Sequence, residues 1–169
     1  MRTSARWLLS ACFLVSLSAM AQLRDADPDW KESEAPPPPP FQADRVLPLD
    51  MPRHITTRVG VDPQTLRITD DGIVRYVMVA GTPGSSVNAS YEGIRCLTGE
   101  VKVYARYSSN GTWRSLPNAD WKPLNGNQPS LHALVLARQG ACDGRAATAG
   151  TVANIVNKLK AGSREQLQR

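Results

Sequence analysis

The chain has 169 residues, enough for one domain with a real core, and carries 20 Lys and Arg against 15 Asp and Glu, a formal charge of +5. That charge is spread along the sequence without a run of five or six like charges, so nothing suggests the concentrated basic face that nucleic acid requires, and no nucleic-acid partner is expected. Beyond residue 21 no apolar stretch approaches the roughly 20 residues that span a bilayer, so a permanent membrane anchor is not expected.

Residues 1–21 read as a cleavable secretory signal peptide. Arg2 and Arg6 give a basic start, Trp7 to Met20 is apolar with small polar interruptions, and Ala19-Met20-Ala21 supplies the small-x-small cleavage site. Leu9-Ser10-Ala11-Cys12 also matches a bacterial lipobox. The apolar stretch ahead of it is only Trp7 to Leu9, however, and the run continues past Cys12, so the plain signal peptide is the favoured reading. Cleavage after Ala21 removes Arg2 and Arg6, leaves 148 residues at a formal +3, and places the protein in the periplasm.

Export decides how the cysteines are read. Cys12 leaves with the signal, and Cys96 and Cys142 in an oxidising compartment most simply form one disulfide. There is no C-x-x-C spacing for a redox pair, and His54 and His132 lack metal-ligand spacing, so neither metal nor cofactor is expected.

Residues 22–40 form a polar, acidic, proline-rich segment with Trp30 as its one large apolar side chain. Pro36 to Pro40 should be a short polyproline II rod. A stiff spacer or edge segment is preferred over an SH3-type ligand, and Trp30 is suited to pack back on the domain. Residues 41–162 are expected to form a single α+β domain and residues 163–169 a tail.

Within that domain, Thr65 to Ile68 is a short strand candidate and Asp70-Asp71-Gly72 a turn. Ile73 to Ala80 is apolar on both faces, as a central strand would be, with Arg75 as its exception. The Gly81 to Ser86 connection follows. Val87, Ala89 and Tyr91 then alternate, but Ile94 and Cys96 continue on the opposite parity, which a bulge at Gly93 would repair. Glu100 to Tyr107 alternates cleanly and places Val101, Val103, Ala105 and Tyr107 on one face. Short connections imply antiparallel pairing from about Val46 to Trp113.

The period changes in the last third. Leu131 to Arg138 favours helix, with Ser130 as N-cap. Val152, Ile155, Val156 and Leu159 make the apolar stripe of a closing helix near Thr151–Lys160, with Gly162 as its stop. The fold class is therefore α+β: an antiparallel sheet with one or two C-terminal helices on one face, joined to it by a Cys96–Cys142 bond.

Asp71-Gly72-Ile73-Val74-Arg75-Tyr76-Val77 followed by Ser90-Tyr91-Glu92-Gly93-Ile94-Arg95-Cys96, with Tyr104-Ala105 and the Trp113–Trp121 region, resembles the CNP1-like family of uncharacterised exported proteins of Gram-negative bacteria. The similarity covers about Trp30 to Leu159. It implies an envelope protein and carries no catalytic residues with it.

The residues themselves point away from an enzyme. No G-x-S-x-G elbow occurs, and Gly81 to Ser86 lacks the ending of a phosphate loop. No catalytic residue is assigned. A small envelope hydrolase remains the alternative, with Asp70–Asp71 or Glu92 and Glu100 as its acid/base carboxylate pair. The candidate binding surface is Arg75, Tyr91, Glu92, Arg95, Trp113 and Trp121. A charge in an apolar strand is costly unless paired, so Arg75 is expected to meet Glu92 or Glu100, as a salt bridge or an anion site. Trp113 and Trp121 flank a loop rich in Asn, Pro and Gly, where they either cover the core or form a sugar-stacking platform. The leading expectation is a non-catalytic binding or envelope-accessory protein whose partner is an unidentified envelope ligand or protein. An assembly factor using an exposed strand beside the proline rod is a third possibility.

Overall fold

A computed structural model of the chain describes residues 28–81, 87–108, 110–147 and 150–166. The expected signal peptide, Cys12 and most of the Gly81 to Ser86 connection lie outside the described residues.

The main sheet is antiparallel and is built around three long neighbours: β4 (Ile73–Gly81), β5 (Asn88–Arg95) and β6 (Glu100–Tyr107). On the far side of β4 lie β2 (Arg58–Val61) and the short β3 (Arg67–Ile68), and β1 (Leu47–Pro48) extends the sheet beyond β2. On the far side of β6 lie two short strands, β7 (Trp113–Ser115) and β8 (Lys122–Pro123). β4 is thus the central strand that its two-sided apolar pattern predicts, with seven of its nine residues buried. Gly72, at φ 78, supplies the left-handed turn that enters it.

Both sheet faces are covered, and this explains the apolar residues of both parities. Val74, Tyr76, Met78, Ile94, Cys96 and Val101 pack with Leu136, Ile155 and Leu159 of the C-terminal helices. Val77, Val79, Ala89, Tyr91 and Ala105 pack on the other side with Ala35, Phe41, Tyr107 and Trp113. That second cover is the N-terminal segment 30–42, which crosses the sheet as an extended strap. Trp30 does pack back on the domain.

Two readings of β5 and β6 are corrected. β5 pairs with β4 without interruption from Ala80–Asn88 to Ile73–Arg95, so there is no bulge at Gly93. The irregularity is in β6: Tyr91 opposes Ala105 while Glu92 opposes Val103, leaving Tyr104 as the extra residue. The bulge switches faces, so Val101 joins the helix-side core while Ala105 and Tyr107 join the strap side. Ile94 and Cys96 need no parity repair because their face has its own core. Gly93 is required for space instead: a Cβ there would stand 2.8 Å from the Tyr104 hydroxyl and 2.8 Å from Ile73 Cγ2.

The helical end begins with α1 (His132–Leu136), which runs into a π turn at Ala137–Ala141. Gly140, at φ 153, lets that turn approach α2 closely, since a Cβ would lie 2.8 Å from Lys158 Cβ. Leu131 is the N-cap rather than Ser130, whose hydroxyl turns to His132. A small ribbon of β9 (Cys142–Asp143) and β10 (Ala146–Ala147) follows, then α2 (Val152–Gln166). Ile155 is fully buried and Leu159 nearly so, as the stripe predicts. Gly162 does not stop α2: it faces open space and the helix continues to Gln166. The Cys96–Cys142 disulfide, with Cα atoms 5.6 Å apart, ties the end of β5 to the helical end.

Candidate functional site

The six surface candidates separate because neighbouring residues of a strand face opposite ways. Arg75, Tyr91 and Arg95 face the strap. Glu92 faces the helices. Trp113 packs against Phe41 and Tyr107, whereas Trp121 packs edge-on against Trp30, so the two tryptophans form no common platform.

Arg75 meets neither Glu92 nor Glu100. Its side chain is 1% exposed and forms an ion pair with Asp71 at 3.0 Å. The turn placed for Gly72 puts Asp71 one strand-start away from Arg75, a local partner easily passed over as a turn residue. The same Arg75 donates to Thr69 Oγ1 and to the Ser33 carbonyl oxygen at 3.1 Å. Asp71 accepts from the Ser33 amide at 3.0 Å and hydroxyl at 2.6 Å. Burial alone would raise the Asp71 carboxyl, but hydrogen bonds from Ser33, Thr69 and Arg75 outweigh it and hold the group far below the usual carboxylate range.

The strap is pinned by four further residues. Trp30 Nε1 donates to the Asp71 carbonyl oxygen at 2.8 Å, and the Arg95 guanidinium lies 3.5 Å from the Trp30 ring centroid. Glu32 accepts from Lys102 Nζ at 2.9 Å and from Trp121 Nε1 at 3.0 Å. Farther along, Phe41 meets Tyr107 and Trp113 edge-to-face, and the Gln42 backbone amide donates to the buried Asp62, which also pairs with Arg45. Between these moorings runs the polyproline stretch. Proline has no amide hydrogen to give, and among the described residues no backbone–backbone hydrogen bond ties 30–41 to the sheet. The strap is therefore a bridge held by side chains, Ala35 among them, and not by a strand ladder.

A groove of about 580 Å³ lies beneath it. Its roof is Glu32 to Pro38; its floor and wall are Tyr91, Lys102, Tyr104, Ala105 and Ser115 to Pro117. Bulging Tyr104 out of register sets its ring beside Ala105 on this face. The Tyr104 hydroxyl is buried over Gly93 beside the Glu32 carboxylate and Arg75, and Arg75 Nε is buried without a hydrogen-bond partner. Burial pushes the Tyr104 phenol well above its ordinary value, so it remains a donor.

On the opposite face, Glu92 is 1% exposed and its carboxylate accepts from Tyr76 at 2.9 Å, from Ser90, and from His132 Nε2 at 2.9 Å. His132 Nδ1 lies 2.7 Å from Ser130 Oγ. Burial opposes ionisation of both Glu92 and His132, but each stabilises the charged form of the other: Glu92 is held low and His132 raised, against a smaller opposing effect of Arg106 on His132. The carboxylate pairs considered for a hydrolase are not assembled, since Asp71 is engaged by Arg75 while Glu92 and Glu100 lie on opposite faces. Among the described residues, no group of three His, Cys, Asp or Glu is arranged to hold a metal, and no helix is long and apolar enough to cross a membrane.

Sequence reasoning missed Glu32, Lys102, Tyr104 and His132. Lys102 and Tyr104 sit inside a clean alternation and give no sign of a bulge. The partner of Lys102 is far away: Glu32 lies 70 residues before it.

These features define a class: an α+β protein with a two-faced antiparallel sheet, helices on one side and an N-terminal strap bridging a groove on the other. The chain belongs to the CNP1-like family, whose model matches residues 25–160 and so includes strap, sheet and the start of α2. No curated protein and no solved structure matches it.

Proposed function

We propose that the protein is a non-catalytic periplasmic binding protein that takes its ligand in the groove beneath the polyproline bridge. The observation that carries this reading is the groove itself, about 580 Å³ between a roof of Glu32 to Pro38 and a floor that includes Tyr91, Lys102 and Ala105. The groove volume falls within the about 300–1,000 Å³ typical of small-molecule sites. Tyr91, Leu116 and prolines 36–38 supply apolar walls and Glu32, Lys102 and Ser115 polar ones, so the ligand that fits is extended and amphipathic.

Chemistry is less well supported. Ser130, His132 and Glu92 follow one another as in a hydrolase relay. The Ser130–His132 contact is local, though, spanning two residues at the start of α1, and the His132 amide also approaches the same hydroxyl. The Glu92 carboxylate is already saturated by three side chains.

Anilinonaphthalene sulfonate, a flat amphipathic fluorophore, tests the groove directly. It should brighten with the wild-type chain, and Leu116→Trp should abolish the response without lowering the melting temperature. An undiminished response in that variant would place the probe elsewhere and remove the basis for the reading. Turnover of peptidoglycan, phosphoester, ester or peptide substrates that disappears in Ser130→Ala or Glu92→Gln would replace it with a hydrolase.

A further inference from the structure

Three of the six candidate surface residues, Arg75, Arg95 and Trp121, contact residues 30–33 of the same chain. With Asp71 and Lys102 they make a seat in which every moored side chain has a designated partner. Trp30 lies against Arg95 and Trp121, Glu32 takes Lys102 and the Trp121 indole N–H, and Ser33 takes Asp71 and Arg75. Those are the marks of recognition by side-chain pattern, a tryptophan followed two and three residues later by an acid and a serine.

The mooring is detachable in principle. Residues 30–33 contribute no strand pairing and are not among the core clusters, whereas Ala35 packs half-buried on the strap-side core and Phe41 is fixed on the aromatic cluster with Tyr107 and Trp113. Between them lie Pro36 to Pro40, which as polyproline II extend about 3.1 Å per residue and favour an outstretched arm over a compact loop. An arm swung out from its own seat presents the Trp-x-Glu-Ser pattern at a distance from its own sheet, with every contact reproducible on another copy.

We propose that the seat formed by Asp71, Arg75, Arg95, Lys102 and Trp121 is a recognition site for an acidic Trp-x-Glu-Ser segment, held in cis by the chain's own residues 30–33 and filled in trans by the same residues of a second copy through exchange of the strap. The exchange leaves all contacts conserved, which is why it is a low-cost route to a closed dimer. It does not depend on what occupies the groove, but it would make each groove roof the property of the partner copy.

A charge exchange across the 2.9 Å Lys102–Glu32 pair tests it. Glu32→Lys places a cation against the Lys102 seat, and Lys102→Glu places an anion against the Glu32 arm; both sites are outside the core. Each variant alone should be monomeric by light scattering, as should the double variant Glu32→Lys/Lys102→Glu, in which the pair is restored in cis. An equimolar mixture of the two single variants should form a heterodimer, because opposite charges then meet only between chains. The second readout is a labelled, capped peptide of residues 29–35. It should bind the Glu32→Lys chain at least about tenfold more tightly than the wild type, whose seat is already occupied at the millimolar effective concentration of a tethered arm. Retention of cooperative unfolding in both variants shows that they fold. A mixture that stays monomeric up to millimolar chain overturns exchange with a second copy, and equal peptide affinity for the two chains overturns the seat itself.

Discussion

Removing the His132 imidazole should cost the fold more than any other change at the helix–sheet junction short of a core disruption. His132→Ala leaves a carboxylate that is 1% exposed with only Tyr76 and Ser90 as donors. Breaking a buried pair by deleting one partner costs about 3–5 kcal/mol. The imidazole side of the pair is 20% exposed and two neutral donors remain, which puts the expected loss at the low end, about 3 kcal/mol. For a domain of this size that is a fall of roughly 6–12 °C in melting temperature. Glu92→Gln, which keeps the shape and removes the charge, should cost less, and the two losses should be far from additive. The pair also writes a signature in pH. His132 is raised in the folded state, so its contribution is complete below its ordinary value of about 6.5 and is lost as pH rises through the folded value. Glu92 is lowered, so its contribution is complete above its ordinary value of about 4.3 and is lost as pH falls through the folded value. The pair is therefore worth most at mildly acidic pH, and wild-type stability should decline on the alkaline side in a way that His132→Ala does not. Urea unfolding of the oxidised protein at mildly acidic and mildly alkaline pH measures both effects. A loss under about 1 kcal/mol, together with an unchanged alkaline slope, would show that Glu92 and His132 are not energetically coupled.

Substituting Ile155 by Asp buries a charge on the sheet-facing side of α2 and should cost more than about 4 kcal/mol, read as loss of cooperative thermal unfolding. Cys96→Ser opens a loop of 46 residues and should lower stability by about 4 kcal/mol; non-reducing peptide mapping of the wild type should recover the Cys96–Cys142 pair without free thiols. Gly93→Ala pushes a methyl group into Tyr104 and Ile73, for an expected loss of about 1–3 kcal/mol by urea titration. Intact mass of protein recovered from a periplasmic fraction should correspond to a chain beginning at Gln22, and a lipid-modified Cys12 terminus would contradict that expectation.

Local patterns were legible where they answered to burial alone. The two-sided apolar run at Ile73 to Ala80 became the central strand, and the stripe at Val152 to Leu159 became the closing helix. The disulfide followed from compartment and count. Register was not legible, because the bulge at Tyr104 interrupts a sequence that alternates without a flaw; what selects it is the space over Gly93 on the neighbouring strand. The candidate surface was legible in composition but not in grouping. Arg75 announced itself as a buried charge in need of a partner, yet the partner was the nearer Asp71. Glu92 also needed a partner, which His132 supplies from 40 residues away. Isolated histidines and acidic arms carry no periodicity, so nothing in the pattern linked Glu32 to Lys102 and Trp121.

The moorings of the strap also set an order of events in time. The seat draws on β4, β5, β6 and Trp121, and its bonds to residues 30–33 span from 38 to 89 positions of chain. Closing loops of that length costs entropy that no strand ladder along the strap returns. A chain delivered from its N-terminus presents the arm first, yet the arm has nothing to hold until the rest of the sheet is assembled. The earliest part of the folded protein to arrive is thus the last to settle, and it belongs to the low-stability end of the structure, where backbone amides exchange with solvent long before those of the central strands.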